Sequence, residues 1–313
     1  MAFEISVCIC TFRRPTLLAR LLEALAGQDG APPFEVIVVD NDAAGSAADA
    51  IARAPRSLAL RAFVEPLQNI ARARNRAVAA ATANWIAFVD DDELPRLGWL
   101  SHLYAAAQRH WADGVFAPVV PRLPDGAPAW IAAGRFFDRP RHRTGTHVPT
   151  DELRTGNALI RRALLAPARD GAGPFDERFG LSGGEDTVAL GRLANGGARF
   201  VWCDEAVVEE QVAPERARVG FLLRRAFGGG HGHARHRLAR EGPRALPSLV
   251  ARGGGALGCA AVMALATLPL GLHRAIAWCC IGAAGAGKLL GLAGVRSEPY
   301  RARPALAAPR PAP

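Results

Sequence analysis

Short apolar runs of strand length alternate with stretches of helical periodicity over roughly the first two-thirds of the chain. Ile5 to Cys10 (ISVCIC) predicts a buried strand, and Thr11, Phe12, Arg13 and Arg14 predict a turn. Pro15 suits the first position of a helix. Leu17, Leu18, Leu21, Leu22 and Leu25 then recur on one helical face until Gly27 ends the pattern. Phe34 to Val39 reads as a second strand that stops at Asp40, Asn41 and Asp42. A short alanine-rich helix through Ala47 to Ala54 leads to a third strand, Leu58 to Val64. Asn69 to Ala83 predicts a helix rich in alanine and arginine, and Trp85 to Val89 a fourth strand. Strands alternating with helices in this way predict an α/β fold with a doubly wound, mostly parallel sheet and right-handed crossovers. Further on, Trp99 to Trp111 reads as a helix, Val115 to Val120 as one strand, and Ala158 to Arg161 as another. Between them, Pro121 to Thr150 is rich in Pro, Gly and Arg and carries little periodicity. So long an irregular segment is more often functional than structural.

Polar groups gather where the apolar runs stop. The fourth strand drives into Asp90, Asp91, Asp92 and Glu93, and Pro95 closes the loop. Adjacent acids repel one another, and a divalent cation gives a chain a reason to group them. Magnesium is held by one or two carboxylates together with substrate phosphates. At the carboxyl end of a parallel strand, where α/β sheets place ligands, the run reads as a metal-diphosphate site. Thr11, Arg13 and Arg14 end the first strand and suit phosphate or base. Asp40 and Asp42 end the second and suit a ribose or base edge. Arg74 and Asn75 lie on the helix before the acidic strand, where Arg74 offers a forked hydrogen bond to a diphosphate. A second acidic pair, Glu185 and Asp186, follows Gly183 and Gly184 and opens a helix that runs to Gly196. Acids also favour helix N-termini on electrostatic grounds alone. No GxGxxG follows the first strand, so a dinucleotide fingerprint is absent.

Six segments in order carry a family resemblance: SVCICTFRRP, EVIVVDND, NIARARNRAV, WIAFVDDDELP, RTGNALIRR and FGLSGGEDTVALGRL. Together they resemble the inverting family 2 glycosyltransferases of the GT-A fold, over roughly residues 4 to 215. The likeness is greatest to bacterial exopolysaccharide enzymes of the succinoglycan type, which extend lipid-linked sugars. The resemblance implies that Asp40 contacts the nucleoside and Arg74 the donor phosphates. It implies that Asp90 and Asp92 form the DxD motif, with Asp92 the direct ligand of Mg2+ or Mn2+, although Asp91 leaves the register of the triplet open. Gly156 and Asn157 would lie beside the donor sugar, where glycine permits close backbone approach. Asp186 would be the base that takes the acceptor proton, and Glu185 would bind or orient the acceptor. Many relatives carry a histidine after the strand that follows the acidic pair. Here Val207 to Val212 reads VVEEQV, with Glu209 and Glu210 instead.

Composition sharpens this picture at the C-terminal end. The net charge of +9 is almost all arginine, since Lys288 is the only lysine. Nine arginines and only two acids, Glu215 and Glu241, lie between Pro214 and Arg252. Phe221, Leu222, Leu223 and Phe227 interleave there with Arg224 and Arg225 as an amphipathic segment. With no nucleic-acid motif beside it, the segment is expected to meet anionic lipid or a lipid diphosphate, and nucleic acid is excluded as a partner. His231, His233 and His236, close to Gly228 to Gly230, read as a flexible polar loop and not a zinc site. Gly253 to Leu272 carries no charge and Ala275 to Val295 only Lys288. With arginines on both flanks, they predict a helical hairpin turning near His273 and Arg274, either inserted in a membrane or packed on the sheet. The tail from Pro304 is expected to be disordered. The six cysteines show no zinc or disulfide spacing and read as reduced thiols. The run from Ile5 to Cys10 is too short for the apolar core of a signal peptide and no basic residue precedes it, so it is expected to be a first strand and not a leader.

The expected organisation is a nucleotide-sugar half (1–112), an acceptor half (113–213), a basic segment (214–252), the hairpin (253–295) and a tail (296–313). The expected activity is transfer of a hexose from a nucleotide diphosphate sugar, most plausibly UDP-linked, to a lipid-linked saccharide. The place is the cytoplasmic face of the bacterial inner membrane, against its lipid. A metal-dependent nucleotidyltransferase and a non-catalytic nucleotide-sugar-binding partner of a synthase are the rival readings. The first would leave Asp186 without a task.

Overall fold

A computed structural model describes residues 2–167 and 172–293. The tail expected from residue 296 lies outside them. Strand β1 (Ile5–Thr11), helix α1 (Pro15–Ala26), β2 (Phe34–Asp40), α2 (Ala48–Ala52), β3 (Leu60–Val64), α3 (Ile70–Ala80) and β4 (Trp85–Phe88) follow the predicted order. Then come β5 (Glu93–Pro95), α4 (Trp99–Arg109), β6 (Gly114–Phe116), β7 (Val119–Arg122), α5 (Ala129–Gly134) and β8 (Ala158–Arg161). Helix α6 (Glu185–Asn195), β9 (Phe200–Trp202) and β10 (Val208–Gln211) precede three long helices, α7 (Val219–Glu241), α8 (Leu246–Thr267) and α9 (Leu272–Leu292).

Seven strands form the main sheet in the order β3-β2-β1-β4-β8-β6-β9. Strand β1 pairs in parallel with β2 from Ile5↔Phe34 and with β4 from Ile5↔Trp85, while β8 runs antiparallel to β4 and β6. This is the mostly parallel α/β sheet read from the alternation of apolar runs. Both faces are covered. Leu18, Leu21, Leu22 and Leu25 of α1 and Trp99 and Leu100 of α4 pack on Val7 and Ile9 on one side. Ala71, Ala77 and Val78 of α3 and Leu190 of α6 pack on Cys8, Ile37 and Val39 on the other. Each large side chain buried in this way contributes about 1.5–3 kcal/mol, and together they make the sheet a rigid floor for the loops at its carboxyl edge.

Four sequence expectations are corrected. Val115 to Val120 is two strands, because Pro118 has no N–H to continue a ladder. Strand β6 stays in the main sheet, whereas β7 joins a second, three-stranded sheet, β5-β10-β7, whose β5 was expected as loop. The supposed flexible histidine loop lies inside the 23-residue helix α7. A Cβ on Gly230 would stand 2.0 Å from the Ala284 carbonyl oxygen, and one on Gly287 would stand 2.1 Å from that of Phe227. The glycines are therefore close-approach points between α7 and α9. The hairpin turns at Leu268 to Gly271, slightly before the predicted residues.

The second sheet is pinned electrostatically. Glu209 accepts hydrogen bonds from Arg96 (3.0 and 2.8 Å) and Arg122 (2.7 Å twice). The Arg122 bonds, assisted by Arg96, hold its carboxyl down at about 2, below the ordinary 4.5. A lowered carboxyl stabilises the fold above its unfolded value and loses that contribution as pH falls through the folded one. Both arginines are over half exposed, so the effect is discounted for solvent screening. Glu209→Gln is expected to lower the unfolding temperature by a few degrees between pH 5 and 8. The difference from the unaltered protein should narrow as pH falls from about 4.5 towards 2; a gap undiminished at pH 2.5 would rule out the ion pairs as its cause.

Candidate active site

The cleft lies over the carboxyl ends of β1 and β4. Asp91, the middle acid of the triplet, is buried and accepts from Thr11 Oγ1 and Arg14 Nη1, each at 2.8 Å. Burial pushes its carboxyl up to about 6 against the pull of Arg14. Thr11 and Asp91 thus tie the ends of β1 and β4 together. Asp90 and Asp92 flank this anchor. Asp92 pairs through Oδ2 with Arg14 (3.1 Å) and Arg216 (3.3 Å). The Asp90 side chain is 46% exposed and pairs with Arg74 at 3.4 Å. The Asp90 amide donates to Glu93 Oε2, which fixes the loop, while Glu93 Oε1 is buried without a hydrogen-bond partner.

Arg74 reaches the cleft because Asn69 caps α3, accepting from the Arg72 amide at 3.0 Å. Its guanidinium, buried, bonds Asp90 on one side and Glu185 at the start of α6 on the other. The two acidic segments, ninety-odd residues apart in sequence, therefore meet at one cation. Glu185 is buried, and burial pushes its carboxyl up to about 7 despite Arg74. Asp186 stands beside it, half-buried. Its Oδ1 accepts from the Thr187 amide at 2.7 Å, and its Oδ2 has a long 3.4 Å contact from the Thr155 amide. The turn at Gly156 closes this side. A Cβ there would stand 2.8 Å from Glu93 Oε1, 3.4 Å from Arg139 Nη1 and 3.5 Å from Asp90 Oδ2. Only glycine leaves room for these groups.

The other residues expected at the donor also make structural contacts. Both carboxylate oxygens of Asp40 accept backbone amides, from Asp42 (3.0 Å) and Ala47 (2.7 Å), so Asp40 shapes the 42–47 loop. Asp42 pairs with Arg13 at 3.1 Å, and that bond lowers its carboxyl. Asn75 exchanges two hydrogen bonds with the Phe175 backbone and holds that segment against α3. Asn157, at φ +58°, is wholly buried. It accepts from Trp99 Nε1 and donates to the carbonyls of Pro118 and Ala206. Its amide is a bracket joining α4 to the strands, and neither asparagine is aimed at the cluster around Arg74. Conversely, Arg14, Glu93, Arg139, Glu210 and Arg216 belong to the cleft. Arg139 bonds Glu210 at 2.7 Å, and Glu210 bonds Arg216 at 3.1 Å. The run of acids flagged Glu93; Arg139 sits in an aperiodic segment with no signal of its own.

A cavity of about 260 Å³ adjoins Gly156, lined among others by Arg139, Asp151, Glu152, Arg154 and Trp202. Among the described residues no three acids, histidines or cysteines form a self-sufficient metal cage. Asp90, half-exposed, and Asp92, buried between Arg14 and Arg216, offer two carboxylates of the type that phosphate oxygens complete around a magnesium-like ion.

A mostly parallel sheet with strand-end carboxylates and a second acidic pair joined through Arg74 fits the GT-A glycosyltransferase architecture expected from the sequence. The family model of glycosyl transferase family 2 matches residues 6–166. The succinoglycan biosynthesis protein ExoM of Rhizobium meliloti (strain 1021) is 34% identical over 243 residues, 74% of each chain. The chain belongs to glycosyl transferase family 2. Solved structures share the fold. The mannosyltransferase PcManGT of Pyrobaculum calidifontis, in complex with GDP-Man and Mn2+, has a TM-score of 0.60 at 21% identity, covering 93% of this chain and 87% of its own. TarS 1-349 of S. aureus in complex with UDP-GlcNAc has a TM-score of 0.53 at 20% identity, covering 93% and 92%. This chain spans 39% of a longer TarS chain.

Proposed function

We propose that this glycosyltransferase moves a hexose, with inversion, from a UDP-linked donor to a lipid-linked saccharide in exopolysaccharide synthesis. The observation that carries the reading is Arg74, which joins Asp90 of the strand-end acids to Glu185 next to Asp186. Asp186 takes the proton of the acceptor hydroxyl as its oxygen attacks the anomeric carbon. The bond from that carbon to the diphosphate oxygen breaks, and the nucleoside diphosphate leaves with the electron pair. Attack from the face opposite the leaving group inverts the centre. Arg74, Arg14 and Arg216 are close enough to the acidic loop to compensate the departing charge. Asp90 and Asp92 would hold Mg2+ or Mn2+, which supplies Lewis-acid stabilisation of the leaving group. The relative named for succinoglycan biosynthesis supports the polymer class, and the TarS complex supports the UDP donor.

Helices Gly242–Leu270 and Leu272–Leu292 are long and apolar enough to cross a membrane, with mean hydropathy 1.6 each. Leu257, Val262, Leu265 and Leu270 are all exposed on the first. Placing this surface in the inner membrane puts the cleft on the cytoplasmic side, next to lipid-linked acceptors, with residues 1–112 on the donor side and 113–213 on the acceptor side.

The test is purified protein with labelled UDP-hexoses and bacterial membrane lipid extract. Label is expected in the lipid phase with added Mn2+ or Mg2+, to fall to background with chelator, and to return with metal. Label that never enters lipid from any donor would overturn the reading.

A further inference from the structure

A second cavity, of about 380 Å³, is lined by the segment that leads up to Arg139. Its walls are apolar: Pro121, Leu123, Ile131, Ala132, Phe136 and Phe137, with Arg135 and Asp138 at the polar end. The volume falls in the range of small-molecule sites, about 300–1,000 Å³. The catalytic chemistry described above makes no use of it.

Three observations say what would fill it. First, it is continuous with the apolar helices, because Ile131 and Phe137 share a packed cluster with Leu222 of α7 and Ile276 of α9. Phe137 also stacks on Phe221 at 6.5 Å. Second, arginines stand at and beside its polar end. Arg135 pairs with Asp138 (2.5 Å), and Arg225 lies 5.4 Å over the Phe137 ring. Arg139, next in the chain, pairs with Glu210 (2.7 Å) and has Glu93 and Asp90 near it. Third, consecutive residues line the two cavities: Asp138 the apolar one, and Arg139 the polar one that also holds Gly156. A saccharide carried on a lipid diphosphate joins a polar part to an apolar one in the same way: sugar, anionic linker, apolar tail.

We propose that the apolar cavity seats the first units of the tail of a lipid diphosphate-linked acceptor, with Arg139 and Arg135 facing its diphosphate. The site rests on the lipid-acceptor reading and adds a place for the lipid. It implies that the enzyme recognises the linker and tail as well as the sugar, so a free oligosaccharide would be a poor acceptor.

Farnesyl diphosphate is a suitable probe, compared with farnesol, inorganic diphosphate and phosphatidylglycerol vesicles. Farnesyl diphosphate should bind the full chain at least about tenfold more tightly than either half-molecule. Ala132→Trp and Leu123→Trp, which fill the cavity from two sides, should each weaken that binding about tenfold, with UDP affinity and unfolding temperature reporting an intact fold. Vesicle binding should be unchanged in both. The proposal fails if farnesyl diphosphate binds no better than inorganic diphosphate, or if both tryptophan variants retain it. It also fails if vesicle binding falls in parallel, since the cavity would then serve bulk lipid. Cavity-dependent binding of the probe without any transfer of label to lipid would support the cavity and sink the acceptor reading alone.

Discussion

Asp186→Asn is expected to lower sugar transfer by about 10²–10⁴-fold, the range that a positioned base contributes, while the affinity for UDP stays unchanged. The carboxylate is aimed by the Thr187 amide on Oδ1, and only a long contact from Thr155 reaches Oδ2. Oδ2 therefore keeps lone pairs for an acceptor hydroxyl. Asparagine preserves the shape and the Thr187 bond but cannot take a proton. Transfer rates and calorimetric UDP titration on the same preparation separate the two effects. Turnover within a few-fold of the unaltered enzyme would remove Asp186 from the base role.

The second large effect is expected at Arg74. The residue is buried, its partner Glu185 is buried more deeply, and Glu185 Oε1 takes the Arg74 bond while Oε2 has no hydrogen bond. Removing one partner of a buried pair typically costs about 3–5 kcal/mol, so Arg74→Ala should destabilise the fold strongly. The loss should depend on pH. Burial already holds the Glu185 carboxyl up at about 7 against an ordinary 4.5. A raised carboxyl contributes its stability fully below the unfolded value and loses it as pH rises through the folded one. Without Arg74 the folded value rises further, so Arg74→Ala should be much less stable at pH 8 than at pH 5.5. Adding Glu185→Gln should recover stability at pH 8 and leave transfer depressed, because the donor proposed for the leaving diphosphate would still be missing, a loss of about 10²–10³-fold. Calorimetric unfolding of the two single variants and the double variant gives the coupling directly. Equal stability of Arg74→Ala and the unaltered protein at pH 8 would show that the bridge does not hold the cleft together.

Both effects concern contacts between segments far apart in the chain, which is where sequence reading loses resolution. Period-two and period-3.6 patterns reported β1 to β4 and α1, α3, α4 and α6, because one buried face repeats locally. The acidic runs announced their chemistry because four adjacent acids need a reason. Residue type alone could not say that Asp40, Asn75 and Asn157 also bond the backbone of distant segments, since each is simply polar and close to a strand end or helix. Their side chains are engaged by backbone amides and carbonyls that only folding brings within reach. Gly228 to Gly230 misled for a related reason. Glycine weakens an isolated helix, yet here Gly230 and Gly287 permit a close helix crossing.

What the sequence by itself determined is the alternation of elements, the acid-bearing strand ends and the family they mark. All of these follow from local periodicity and short motifs. The tertiary structure alone decided that Asp91 is an anchor while Asp90 and Asp92 flank it. It also decided that Arg139 and Arg216 enter the cleft and that Arg74 joins the two acidic sets. Charge pairing depends on distance in space, and separation along the chain carries no information about it until the sheet and its crossovers set that distance.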